Sequence, residues 1–158
     1  MSQSESEPAP AGRARVYVRH SGAHHAGHVG WGYLLPDGSW EVGAVERGGI
    51  ITPPLKDGFW RGEFVDPTPR MRELRYDAYK EFDVGAPNPE AARAQEDVID
   101  KRYFSLARHN CMNDTHDVLT AYGAKLPNPD RFWDWRPNEW FREIEGELIP
   151  LAPAMAAE

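Results

Sequence analysis

The sequence predicts an α+β chain whose first part builds an antiparallel sheet and whose second part is mainly helical. Three observations carry this. Short stretches near the start alternate or run apolar as strands do, with a turn between two of them. A fourth extended pattern returns after a Gly/Pro-rich connection. Two later segments carry both the starting and stopping signals of helices.

Taken in order, residues 1–12 are Ser, Glu, Pro and Ala with nothing to bury, and read as a disordered tail. "RARVYVRH" (13–20) alternates around Val16 and Val18, "HVGWGYLL" (28–35) is a second strand, and "SWEVGAVE" (39–46) a third. The intervening "LPDGS" suits a type I turn closed by Gly38 in a left-handed bulge. That turn pairs positions whose numbers sum to 74 and sets Tyr33 opposite Glu41 and His28 opposite Glu46. Residues 47–69 are an irregular connection with room for one short strand, and "YDAYKEFDV" (76–84) is extended again. In "NPEAARAQEDVIDKRYFSLA", Asn88 is an N-cap and Pro89 the first helical residue. A second helix begins after Asn110 and ends at Gly123. "NPDRFWDWRPNEWFREI" gathers Trp133, Trp135, Trp140 and Phe141 into an aromatic flap over the core. Residues 150–158 form a second tail, which leaves 13–149 as one domain.

Composition removes several function classes. A net charge of -7 with scattered basic residues gives nucleic acid no counterion-releasing face. No apolar run approaches the roughly 20 residues of a membrane span, and the start of the chain lacks a signal peptide, so cytoplasmic synthesis without membrane insertion is expected. No cofactor is called for.

Cys111 is the only cysteine, so it serves either as a small buried group or as a reactive one. It falls in the first turn of a helix, where free N–H groups and the positive end of the dipole favour a thiolate. The same N–H groups, with Asn110 beside them, suit an oxyanion hole. The opposing fact is the helix stripe Cys111, Thr115, Val118, Leu119 and Tyr122, a core-directed face on which a buried thiol is the commoner finding. A nucleophilic thiol also needs a base. Of His20, His24, His25, His28, His109 and His116, His28 opens a rigid strand between glycines, and the hairpin register supplies Glu46 to orient it, with Glu41 as the fallback.

A strand opening "GHVG", a hairpin ending in an acidic residue, and a later "NC" starting a helix that ends in "AYG" resemble the circularly permuted papain-like hydrolases. These are relatives of the NlpC/P60 peptidases that include the lecithin retinol acyltransferase-like branch and bacterial amidase effectors. The resemblance implies an α+β fold with the Cys-bearing helix packed on an antiparallel sheet. It implies a cysteine peptidase or amidase with Cys111 as nucleophile, His28 as base and Glu46 as third member. It favours a peptide substrate, bacterial cell-wall peptide first. A chain with no signal peptide would reach that substrate through a specialised secretion system, as an antibacterial toxin effector with a cognate immunity protein.

Two other readings compete. His24, His25 and His28, or His109, Cys111 and His116, are zinc ligands by type, although their spacings match no zinc motif. His116 lies about 140° around the helix from Cys111, which separates it from the thiol and makes it a solvated residue. In a non-catalytic binding module, Cys111 is structural and Trp133, Trp135 and Trp140 dock a partner.

Overall fold

The computed structural model describes residues 12–21, 27–46, 58–101, 110–132 and 136–151, without the side chains of Glu46, Arg131 and Phe132. Among the described residues, six strands form one antiparallel sheet: β1 (Gly12–Arg19), β2 (His28–Leu34), β3 (Trp40–Glu46), β4 (Gly58–Phe64), β5 (Ala78–Val84) and β6 (Glu147–Pro150). Their order across the sheet is β4-β3-β2-β1-β5-β6. The helices are α1 (Thr68–Glu73), α2 (Pro89–Asp100), α3 (Cys111–Tyr122) and α4 (Pro137–Glu143). The α+β class is thus present, with α3 packed on β2 and β3.

The β2–β3 hairpin forms as its turn residues require. The Leu35 N–H donates to the Ser39 carbonyl at 2.8 Å, the Gly38 N–H donates to the Leu35 carbonyl at 3.0 Å, and Gly38 has φ +91°. Asp37 Oδ1 accepts from the Ser39 hydroxyl and N–H, which holds its carboxyl below the usual range. The pairs Trp31–Gly43, Gly32–Val42, Tyr33–Glu41 and Leu34–Trp40 all sum to 74.

Because side chains alternate along each strand, the sheet sorts its residues into two layers. Ala14, Val16 and Val18 of β1 and Val29, Trp31 and Tyr33 of β2 join the core beneath α2, α3 and α4. Tyr17 of β1 and Val42 of β3 belong to a smaller cluster on the other face, with Met71, Leu74, Tyr76 and Tyr79. Trp140 and Phe141 are buried in the larger core, and the Trp140 indole donates to the Pro127 carbonyl at 2.9 Å. Trp133 and Trp135 lie outside the described residues.

Four details depart from the sequence-based expectations. Gly12 belongs to β1, not to a tail, and the Tyr122 hydroxyl occupies the place a Cβ there would take. The domain also runs past residue 149. Pro150 ends β6, and the backbone of buried Leu151 bonds Asp77 and Arg72, which binds a segment poor in core formers to the sheet. α1 was not foreseen, because six residues are too few to show a period. His116 is partly buried and bonds Asp117 through Nδ1.

Candidate functional site

α3 starts as its sequence dictates. Asn110 is extended (φ -97°, ψ 178°), its side chain accepts from the Asn113 N–H at 2.9 Å, and its carbonyl accepts from Asp114. Gly123, at φ +121°, ends the helix. Cys111 is therefore the first helical residue. It is 1% exposed and shares the packed face with Thr115, Val118, Leu119 and Tyr122. The Thr115 hydroxyl, one turn after the thiol, has no hydrogen-bond partner among the described residues.

α3 packs on β2 and β3. At the helix's far end the Tyr122 hydroxyl donates to the Leu34 carbonyl at 2.7 Å, beside the last residues of β2. At the other end of β2, its first residue His28 pairs with Arg19, the last of β1.

The two histidines at that end point opposite ways. His28 pairs with Arg19 across β1–β2 and shares its face, the one opposite α3. It is 3% exposed, its Nε2 hydrogen-bonds the Tyr76 hydroxyl at 3.0 Å, and the Arg19 guanidinium stacks over the Tyr76 ring at 4.8 Å. A Cβ on Gly30 would meet that same hydroxyl at 3.1 Å, so the glycine space beside His28 is filled by Tyr76. The structure accordingly does not bring the His28 ring to the Cys111 thiol, because strand alternation gives the helix-facing position to Val29.

His20, one residue beyond Arg19, lies against α4. It is exposed, and its ring lies edge-on to Phe141 with centroids 6.1 Å apart. Asn138, in the first turn of α4, holds it twice: Asn138 Nδ2 donates to the His20 carbonyl at 3.1 Å, and Asn138 Oδ1 lies 3.0 Å from His20 Nδ1. Since the amide nitrogen is committed to that carbonyl, the amide oxygen accepts from the ring. Nδ1 is thus the donor in that bond. Nε2 has no hydrogen bond among the described residues. α4 is itself anchored: Lys80 Nζ donates to the carbonyls of Phe141, Arg142 and Ile144 at 2.9, 3.2 and 2.8 Å, satisfying groups at the helix C-terminus.

The acidic candidates lie elsewhere. Glu46 ends β3 with its Cα opposite Gly58, and its side chain is outside the description. Glu41 faces α2, where Arg93 Nε bonds it at 2.9 Å, rather than His28. It adjoins Glu96 of α2, which is fully buried and receives the Trp31 indole N–H at 2.8 Å and Arg61 at 3.0 Å. Burial and the neighbouring Glu41 push Glu96 up to about 8, so it keeps its proton near neutrality and donates it to Glu41. Burial alone would raise Glu41 as well, but that bond and Arg93 hold it below the usual carboxylate range. The buried Tyr33 hydroxyl faces both carboxyls and is raised by burial and their charge.

The sequence reading missed both arrangements. Glu96 had a visible signal, a charged residue in the apolar stripe Ala92, Glu96, Ile99. The His20–Asn138 pair spans 118 positions and had none.

Among the described residues no three His, Cys, Asp or Glu side chains gather to hold a metal, and His24, His25 and His109 lie outside them. A groove of about 560 Å³ bounded by Phe82, Val84, Gly123, Lys125 and Glu145 opens at the far end of α3, away from Cys111. No helix among the described residues is long and apolar enough to cross a membrane. No family model, curated protein or solved structure matches the chain.

Proposed function

We propose that the chain is a cysteine hydrolase that cleaves a peptide amide with Cys111 as nucleophile, cell-wall peptide being the substrate its resemblance favours. The observation that supports this reading is the place of the thiol at the first residue of a capped helix. The Asn113 and Asp114 N–H groups are used by Asn110, while those of Cys111 and Met112 have no partner within the helix. Thiolate and oxyanion donors then come from one turn. Sulfur adds to the carbonyl carbon, the oxygen takes the electron pair and is held by these N–H groups, and a histidine returns the thiol proton to the leaving nitrogen. Water activated by the same base releases the acyl group.

One observation favours a second reading. Cys111 is 1% exposed within the larger core, as a structural thiol in a binding module would be. Iodoacetamide alkylation of the native chain against pH separates the two, with Cys111→Ser as the blank. The hydrolase reading requires a fast reaction with a midpoint below the ordinary thiol value of about 8.5. A thiol that reacts only when the chain is unfolded refutes it.

A further inference from the structure

We infer that the groove at the far end of α3 takes up a short extended segment of a basic partner protein as an added strand on the open edge of β5, a function separate from the hydrolase reading and from Cys111. β1 covers one side of β5 along its whole length, from Gly12 opposite Val84 to Val18 opposite Ala78. β6 covers the other side only from Ala78 to Glu81. Among the described residues, Phe82, Asp83 and Val84 therefore have a strand neighbour on one side alone. β6 is entered at that point through Gly146, which lies so close to β5 that a Cβ on it would meet the Glu81 carbonyl at 2.8 Å. A sheet edge that turns N–H and C=O groups outward is a template for another chain.

The groove of about 560 Å³ opens on that edge. Its floor is apolar, with Phe82 and Val84 packed on the larger core and Ala124 and Pro127 following α3. Its rim is acidic, with Asp83, Glu143 and Glu145 against Lys125. The Asp83 side chain is 83% exposed, and its ion pair with Arg13 at 3.7 Å stands in solvent, so another cation can replace it. Cross-strand neighbours share a face. The segment that fits therefore carries apolar side chains beside Phe82 and Val84, and Lys or Arg beside Asp83. Glu143 and Glu145 favour further positive charge at its flanks. The nearest rival is the chain's own start, which joins β1 at Gly12 opposite Val84. Residues 1–11 hold Glu5 and Glu7 and no Lys or Arg, so the acidic rim opposes them.

The test is a fluorescence-anisotropy titration of the full chain with a labelled peptide of alternating valine and lysine and with its valine–glutamate counterpart. Two further forms of the first peptide are N-methylated, one on the valine amides and one on the lysine amides. The valine–lysine peptide is expected to bind saturably, and the valine–glutamate peptide is not. Asp83→Lys combined with Glu145→Lys reverses two exposed charges, weakens binding about tenfold and leaves the urea midpoint in place. One N-methylated form binds like the parent and the other loses about tenfold or more, because an added strand turns only alternate amides to the sheet edge. Absence of saturable binding by the valine–lysine peptide overturns the proposal. So does equal binding to wild type and the charge-reversed chain, which puts the peptide elsewhere. Two N-methylated forms that bind alike overturn strand addition. Preference for the valine–glutamate peptide gives the groove to an acidic segment such as the chain's own start. A dimer in sedimentation that the valine–lysine peptide dissociates gives it to a second copy, and either result overturns the basic partner. Cys111→Ser binds as wild type does, and a loss in that variant places the peptide at the thiol instead.

Discussion

His20 and His28 stand at the same end of the sheet on either side of one connection, and the chain treats them differently. His28 is enclosed, with Tyr76 on its Nε2 and the Arg19 guanidinium over the Tyr76 ring. His20 is exposed and pinned at Nδ1 by Asn138. An enclosed imidazole whose partner is also buried acts as a strut. The other ring is exposed and held by Asn138. A single step of strand alternation separates the two roles.

The contrast is broken most severely at the strut. Replacing His28 by Ala removes a buried ring and leaves the Tyr76 hydroxyl without this bond, a cost of roughly 2–4 kcal/mol in urea unfolding. His20→Ala, at an exposed site, stays within about 0.5 kcal/mol of wild type. Equal losses in the two variants would show that the histidines are not divided in this way.

The next effect sharpens the contrast with a third polar group, the protonated Glu96. The unfolded chain ionises Glu96 near its ordinary value of 4.5, whereas the fold holds its proton up to about 8. The folded state therefore binds more protons across that window. The stability contributed by Glu96 is fully present below the lower value and is lost as pH rises through the upper one. Glu96→Gln, which donates without ionising, should lose less stability than wild type between about pH 5 and about pH 8 in urea titrations. Parallel curves for the two proteins would mean that Glu96 does not titrate in this way.

The smallest effect is at the cap. Asn110→Ala removes the bond to the Asn113 N–H and should cost about 1 kcal/mol in urea unfolding. The same variant frays the turn that carries Cys111, so its alkylation rate in the folded chain should change as well. A lost cap with unaltered thiol chemistry would place the reactivity of Cys111 outside the first turn.

Much of this architecture was legible because its causes are local. Asp37 and Gly38 made the turn type, the turn made the register, and the register put Tyr33 opposite Glu41. Asn88 and Asn110 capped the helices as their types and positions suggested. The orientation of His28 was also within reach. Val29, Trp31 and Tyr33 carry the bulk of β2, and large apolar side chains turn toward the larger core, so His28 shares its face with Gly30 and Gly32. The space beside Gly30 is taken by the Tyr76 hydroxyl, which comes from a distant segment. β6 gave no signal, since four residues with one half-buried side chain carry little periodicity.

Alone, then, the sequence determined the turn, the strand pairing, the helix starts and the place of Cys111 at the head of α3, because each depends on residues within a few positions of one another. Tertiary structure decided what meets what: Glu96 against Glu41, Tyr76 beneath His28, and Asn138 on His20. These contacts join segments 48 to 118 residues apart, and no local preference encodes them. The opposite settings of His20 and His28 are of this second kind, because they depend on which face of the sheet the larger core covers.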